Sequence, residues 1–267
     1  MEKKKICLAA SAVLFTAAAI FAGSYIYARV GVEKEISDAP SLSSYIVSQP
    51  DKTVSTEKES SAENISDAQS SQAEEEYTSP IDFGKLKKEN PDICGWVDIP
   101  DSELSFPVVQ RPGDNSYYLT HTFENKQSIY GAAYMEDYNS GDFSDPVSVI
   151  YGHNINNGEW FGQFQTVFTD PEAFEKSREF KLYLPEEERD YTVFAAVPYN
   201  DLHILYYNDF SNEKVYDDFI EDIAETRALN SIVDEDALPE ADQRMIIFST
   251  CLSGDYSHRF LVLAAER

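Results

Sequence analysis

Residues 244–265, RMIIFSTCLSGDYSHRFLVLAA, contain two apolar runs separated by a polar turn. Short runs rich in Ile, Val, Phe and Leu predict β-strands, and the Gly254-Asp255 turn predicts that the two strands are antiparallel neighbours. Cys251 ends the first run and Arg259 begins the second, so the pairing should place them opposite each other at one end of a sheet. A thiol at the rim of a sheet is accessible for chemistry.

Six further segments upstream have the same length and composition, and together with this pair they predict a mainly β domain. Eight short strands are typical of a β-barrel or a sandwich. The predicted strands are Ile93 to Ile99, Phe106 to Gln110, Gly131 to Glu136, Val147 to His153, Phe180 to Leu184, Tyr191 to Val197, Arg244 to Cys251 and Arg259 to Ala265.

Three segments of the same region have helical patterns. Ile81 to Lys88 predicts a short helix ended by Asn90-Pro91, and Phe161 to Lys176 predicts one or two short helices interrupted at Pro171. Glu213 to Asn230 is amphipathic, which favours packing on the barrel over binding a partner. Its apolar stripe consists of Val215, Phe219, Ile220, Ile223 and Leu229.

The first thirty residues predict a membrane anchor. Three lysines precede Ile6 to Tyr27, a run of 22 residues without a charge, and a helix of roughly 20 apolar residues spans a bilayer. The lysines orient the N-terminus toward the cytoplasm, which predicts a single-pass protein of the cell membrane with an extracellular catalytic domain. A cleaved secretory signal, with Ala17 and Ala19 at the cleavage site, is the alternative.

Residues 31–79 predict a disordered stalk, because 12 serines, 11 acids and one glycine, without Phe or Trp, cannot bury enough apolar surface to fold. The folded domain is therefore expected at 80–267. The whole chain has a formal net charge of −27, which excludes a nucleic-acid binder that works by electrostatic attraction.

The chain has three cysteines, and their positions suggest different roles. Cys7 lies in the predicted anchor, and Cys94 lies in an apolar strand, where a buried inert thiol is expected. A disulfide between Cys94 and Cys251 is the alternative in an oxidising compartment. Cys251, at the end of its strand, is the candidate nucleophile.

A cysteine nucleophile requires an acid-base partner and a group that stabilises an oxyanion. His153 ends a strand and precedes a polar loop, so it is the best acid-base candidate, and Arg259 can donate to an oxyanion. His203 and His258 are expected to be surface or core histidines. Cys251 and His258 are seven residues apart and the chain has no CxxC or HxxxH, so common zinc spacings are absent.

Four motifs in this order resemble the class B sortases. They are NPDICGWVDIP at 90–100, DNSYYL at 114–119, YGHN at 151–154, and FSTC at 248–251 followed by Arg259. The resemblance spans 80–267 and implies an eight-stranded sortase-type β-barrel with a short N-terminal helix and a longer helix between the sixth and seventh strands. Ile247-Phe248 departs from the Thr-Leu that the family often has before the x-Thr-Cys.

The resemblance implies a cysteine transpeptidase without a cofactor. Such an enzyme cleaves a C-terminal sorting signal of secreted proteins, holds the product as a thioester, and joins it to an amine of a cell-wall peptide or peptidoglycan precursor. Cys251 would be the nucleophile, His153 the acid-base group and Arg259 the oxyanion donor. By the same resemblance, the substrate groove would be lined by Asn115, Leu119, Tyr151, Ser249 and Thr250.

Other interpretations of the sequence stay open. Leu119 and Tyr151 could belong to the core, and Thr250 could be an ordinary strand residue. A cell-wall cysteine hydrolase would use water in place of the amine, and a non-catalytic anchored adhesin would use neither. The sequence leaves the sorting motif, the client proteins and the acceptor amine undetermined.

Overall fold

Eight strands of one continuous sheet close on themselves in the structure, a computed structural model that describes residues 42–47, 77–155, 159–240 and 243–267. Within these residues the strands are β1 Ile93–Asp98, β2 Ser105–Gln110, β3 Ala133–Met135, β4 Val147–Tyr151, β5 Asn154–Ile155, β6 Glu159–Trp160, β7 Glu179–Tyr183, β8 Glu188–Tyr199, β9 Ile232–Val233, β10 Met245–Leu252 and β11 Asp255–Glu266.

The strand order is β11-β10-β4-β3-β2-β1-β7-β8, and β8 pairs with β11 to close the barrel. The closing register runs from Arg259 opposite Tyr199 to Glu266 opposite Tyr191. The β2–β3 and β4–β10 pairs are parallel, and the other barrel pairs are antiparallel. Strand β9 adds to β8, and β5 and β6 form a separate hairpin. The predicted mainly β, eight-stranded barrel is confirmed.

Strand β10 is apolar on both faces because it lies between two cores. Ile246 and Phe248 point into the barrel, whereas Met245 and Ile247 belong to an outer core. A strand covered on both faces has a continuous apolar run rather than an alternating one. Cys251 has the parity of Met245 and Ile247, so its side chain lies on the outer face, at the end of this second core.

The outer core is covered mainly by one amphipathic helix. The α-helices are α1 Phe83–Glu89, α2 Gly162–Phe168, α3 Pro171–Ser177, α4 Ile204–Tyr207 and α5 Glu213–Ala224. Helix α5 follows β8 and precedes β10, the sixth and seventh barrel strands, as predicted. It buries Tyr216, Phe219, Ile220 and Ile223.

Helix α5 is shorter than predicted. It ends at Ala224 rather than at Asn230, where the backbone has a positive φ of 63° that a right-handed helix cannot contain. Leu229, predicted to lie on the apolar stripe, is therefore 88% exposed. The helical spacing of apolar residues in the sequence therefore extends to Leu229, beyond the end of the helix.

Residues 42–47 fall in the segment predicted to be a disordered stalk, yet they pack on the domain. Tyr45 is 4% exposed, and its hydroxyl donates to Glu89 Oε2 at 2.6 Å. Ile46 pairs with Ile81 as an isolated β-bridge. The compact unit accordingly begins at Leu42. The prediction used the average composition of 49 residues, in which this short segment is not visible. Residues 31–41 and 48–76 of the predicted stalk lie outside the described residues.

The predicted single-pass membrane location requires correction. In the part of the chain that the structure describes, no helix has the length and apolar character needed to cross a bilayer. The predicted anchor, Ile6 to Tyr27, lies outside the described residues.

Candidate active site

A cavity of about 260 Å³ opens on the outer face of the barrel, where β4 and β10 end and β8 reaches its last residue. Its walls are formed by the ends of strands and by the connections that follow them, and several side chains of these segments face the cavity. Among its lining residues are Leu119, Tyr134, Glu136, Tyr151, His153, Tyr199, His203, Ser249, Thr250, Cys251 and Arg259.

Cys251 and Arg259 face each other across the β10–β11 ladder. Arg259 Nη1 lies 3.9 Å from the Cys251 sulfur and also donates to the carbonyl oxygens of Tyr256 and His258, each at 3.3 Å. These carbonyls orient the guanidinium toward the thiol. The contact thus places a permanently charged group with several N–H donors beside the thiol.

His153 lines the same cavity, two residues after the end of β4. Its Nε2 atom lies 2.8 Å from the carbonyl oxygen of Leu119. A carbonyl oxygen accepts hydrogen bonds and cannot donate, so Nε2 must carry a proton. Nδ1 is therefore the nitrogen that can gain or lose a proton. Among the described residues, the structure gives no hydrogen bond between His153 and Cys251.

Four of the five predicted groove residues line this cavity, and one does not. Ser249, Leu119 and Tyr151 reach it directly. Thr250 also borders it, but its hydroxyl donates to the carbonyl oxygen of Gly152 at 2.7 Å and ties β10 to the end of β4. Asn115 is absent from the described lining, and its Oδ1 accepts the Asp137 N–H at 2.9 Å. The binding role of Asn115 stays a prediction.

Two tyrosines form an uncharged part of the cavity wall. Burial raises the pKa of both Tyr134 and Tyr151, and the nearby Glu136 carboxylate raises each further. Both phenols are thus neutral at physiological pH and unsuited to act as bases. The Tyr151 hydroxyl is buried without a hydrogen-bond partner among the described residues.

A hydrogen-bonded pair in the wall, formed by Glu136 and His203, had no signal in the sequence. His203 Nε2 contacts Glu136 Oε2, and Nδ1 accepts the Tyr206 N–H at 3.0 Å as the N-cap of α4. The sequence indicated a histidine without a role, because its partner lies 67 residues away. No group of three or more His, Cys, Asp or Glu side chains in the described part of the chain could hold a metal ion.

Cys94 lies away from this cavity. It packs against the interior core and its sulfur donates to the Val108 carbonyl oxygen at 3.2 Å. Burial raises the pKa of its thiol to about 12. Both Cys94 and Cys251 are free thiols, so the alternative of a disulfide between them is wrong.

The comparisons with known proteins find similarity to sortase B proteins. No family model matches the chain. Sortase B of Listeria monocytogenes is 26% identical over 184 residues, which cover 68% of this chain and 72% of the relative. Sortase B of Staphylococcus aureus is 25% identical over 169 residues, covering 63% and 67%. The crystal structure of Clostridium perfringens sortase B has a TM-score of 0.61 at 26% identity and covers 69% of this chain and 99% of that one.

The chain is similar to the class B sortases in sequence and in fold. The resemblance predicted from the sequence agrees with the barrel, with the helix between its sixth and seventh strands, and with the cysteine and arginine that share the cavity. The protein is a sortase-type cysteine transpeptidase of cell-wall sorting rather than a non-catalytic adhesin.

Proposed function

We propose that this sortase cleaves a C-terminal sorting signal of secreted proteins, retains the new C-terminus as a thioester on Cys251, and transfers it to an amine of a cell-wall peptide. The observation that carries the proposal is the 3.9 Å contact between Arg259 Nη1 and the Cys251 sulfur inside a cavity that also contains His153. A nucleophile, a cation and an acid-base group are what acyl transfer requires.

In the first half of the reaction, the Cys251 thiolate attacks the carbonyl carbon of the scissile peptide bond. The tetrahedral oxyanion accepts a hydrogen bond from the Arg259 guanidinium, which is always charged and has donors in a fixed fork. The C–N bond then breaks, and Nδ1 of protonated His153 gives its proton to the departing amine. The product is a thioester and a free amine.

In the second half, an amine of the acceptor peptide attacks the thioester carbon. His153 takes a proton from the attacking nitrogen, the C–S bond breaks, and the Cys251 thiolate returns. The charges of both groups are thus restored at the end of the cycle. Leu119, which holds Nε2 of His153 through its carbonyl oxygen, keeps the ring in the tautomer that this exchange requires.

The groove for the sorting signal is proposed to run past Leu119, Tyr151 and Ser249, the predicted binding residues that line the cavity. Thr250 is proposed to support its floor through the bond to Gly152. Asn115 is not included, because it is absent from the described lining and its Oδ1 accepts the N–H of Asp137.

Mass spectrometry of a peptide reaction tests this function. The purified chain is incubated with sorting peptides of the Asn-Pro, Ser-Pro and Leu-Pro types, with and without an amine acceptor, beside a Cys251→Ala control. Transpeptidation gives an acyl-amine product and, without the acceptor, a Cys251 thioester adduct. Free acid alone in the presence of the amine identifies a hydrolase. Absence of cleavage for every peptide contradicts the proposal.

A further inference from the structure

The backbone carbonyl of Cys251 lies where the sheet no longer supplies it with a partner. Strand β10 pairs with β4 as far as Ser249 opposite Tyr151, and the Ser249 carbonyl accepts the N–H of Gly152 at 3.2 Å. Carbonyls two residues apart in a strand point the same way, so the Cys251 carbonyl would next accept the N–H of residue 154. Strand β4 has already ended at Tyr151.

The side chain of Asn154 takes the place of that missing strand. Its Nδ2 donates to the Cys251 carbonyl oxygen at 2.7 Å and lies 2.9 Å from the Ser253 hydroxyl. The contact needs a glycine nearby, because a Cβ at Gly162 would lie 2.8 Å from Asn154 Oδ1. The first turn of α2 can therefore approach Asn154 closely.

Gln165 on α2 adds a second, two-pronged contact to the same segment. Its Nε2 donates to the Cys251 carbonyl oxygen at 3.0 Å, and its Oε1 accepts the Ser253 N–H at 2.9 Å. The carboxamide thus offers one donor and one acceptor to the backbone, as a neighbouring strand would. Phe164 and Phe168 of the same helix are fully buried in the barrel core, so the amide is held on a rigid element.

We propose that Asn154 and Gln165 are positioning residues for the nucleophile, an inference that rests on the function proposed above. Their amides fix the backbone of Cys251 at the point where the β10–β11 register becomes irregular. The sulfur is thereby kept beside Arg259. Because Asn154 directly follows His153, the same contact also fixes the acid-base group relative to the thiol. Neither amide touches the reacting atoms.

Gln165→Met tests the proposal, since methionine keeps the length of the side chain and loses both hydrogen bonds. A small displacement of a reacting group can cost about 100-fold in rate. We expect kcat with the sorting peptide to fall about 10- to 100-fold while KM changes less than about twofold. Gln163→Met is the matched control, because Gln163 is on the same helix and contacts Glu103 instead. It should retain wild-type kinetics.

A second readout does not depend on the sorting reaction. The rate at which iodoacetamide modifies Cys251 at pH 7, followed by peptide mass mapping, should fall about 3- to 10-fold in Gln165→Met, because the thiolate loses its fixed place beside Arg259. Asn154→Ala should have the same effect, with melting temperatures measured for each variant. If wild type neither cleaves nor transfers, the proposed function fails while this readout still tests the positioning.

Wild-type kcat and wild-type alkylation in a folded Gln165→Met protein would overturn the proposal. A rise in KM with unchanged kcat would also overturn it, because it would assign Gln165 to substrate binding. If Gln165→Met does not fold, Gln165→Glu decides. It keeps the acceptor for Ser253 and loses the donor to Cys251, so a folded Gln165→Glu variant with wild-type kcat and alkylation would contradict the proposed role.

Discussion

Arg259 lies opposite Cys251 in the β10–β11 ladder, with its Nη1 atom 3.9 Å from the sulfur. The register between the strands is continuous from Met245 opposite Ala265 to this pair. A shift of β10 by one residue would exchange its inward and outward side chains, so the large Phe248 ring, which packs inside the barrel, would have to fit the outer core. The packing of the two cores therefore holds the cation beside the thiol.

Replacing Arg259 with lysine should lower kcat strongly. Lysine keeps the charge and loses the planar fork of donors, and loss of one oxyanion donor typically costs about 2.7–4 kcal/mol, or 10²–10³ in rate. Peptide cleavage kinetics and thermal melting measure the two effects separately. His258→Ala is the control, since that side chain is exposed and pairs with Asp255. Near-wild-type turnover in folded Arg259→Lys would remove Arg259 from the reaction.

The two described cysteines should differ sharply in reactivity. Because burial raises the pKa of Cys94 to about 12, its thiol stays protonated at pH 8, whereas an unfolded cysteine ionises near about 8.5. Iodoacetamide at pH 8 should therefore modify Cys251 in the folded protein and Cys94 after unfolding in urea. Peptide mass mapping reports both.

The same cysteines provide an activity test. Cys94→Ala should retain most of the transpeptidation rate, and Cys251→Ala should abolish it, because the former thiol packs in the core and the latter lines the cavity. Labelling of both thiols at one rate in the folded chain would be inconsistent with this assignment.

The segment at 42–47 should stabilise the domain. A fragment of residues 42–267 should unfold at a higher urea concentration than a fragment of residues 78–267, since burial of a large side chain such as Tyr45 contributes about 1.5–3 kcal/mol. Both fragments should remain active, because the segment does not line the cavity. Tyr45→Ala in the longer fragment should reproduce most of the difference, whereas Ile46→Ala, at a half-exposed site, should have a smaller effect. Equal midpoints for the two fragments would show that the packing contributes nothing.

The Glu136–His203 pair should affect substrate binding more than chemistry. Glu136 directly follows β3 and His203 is the N-cap residue of α4, so the pair joins these two elements. Both side chains line the cavity. A hydrogen bond to a charged group is worth about 1.5–3 kcal/mol, so Glu136→Ala should raise KM for the sorting peptide about 10-fold or more with a smaller change in kcat. His203→Ala should do the same.

A double-mutant cycle provides the control for this pair. If the two side chains act as one unit, the Glu136→Ala/His203→Ala double variant should be little worse than either single variant. Fully additive effects on KM would mean that the two residues act independently.

Elements that depend on a local pattern of residues could be predicted before the fold was known. The strand runs, the amphipathic helix α5 and the turn after Cys251 follow from the spacing of apolar residues and from turn-forming residues, since burial repeats with a period set by the backbone. The turn predicts antiparallel pairing of the two strands, but it does not set the Cys251–Arg259 register, because Leu252 pairs with Asp255 and the register shifts between Leu252 and Cys251.

Contacts between distant segments could not be predicted in this way, because they form only in the folded chain. Gln165 lies 86 residues from Cys251, and His203 lies 67 residues from Glu136. Such pairs form when the barrel closes and brings the ends of non-adjacent strands together, and no periodicity in the sequence encodes them. Asn115 and Tyr45 illustrate the same limit, since their hydrogen-bond partners Asp137 and Glu89 lie 22 and 44 residues away in the chain.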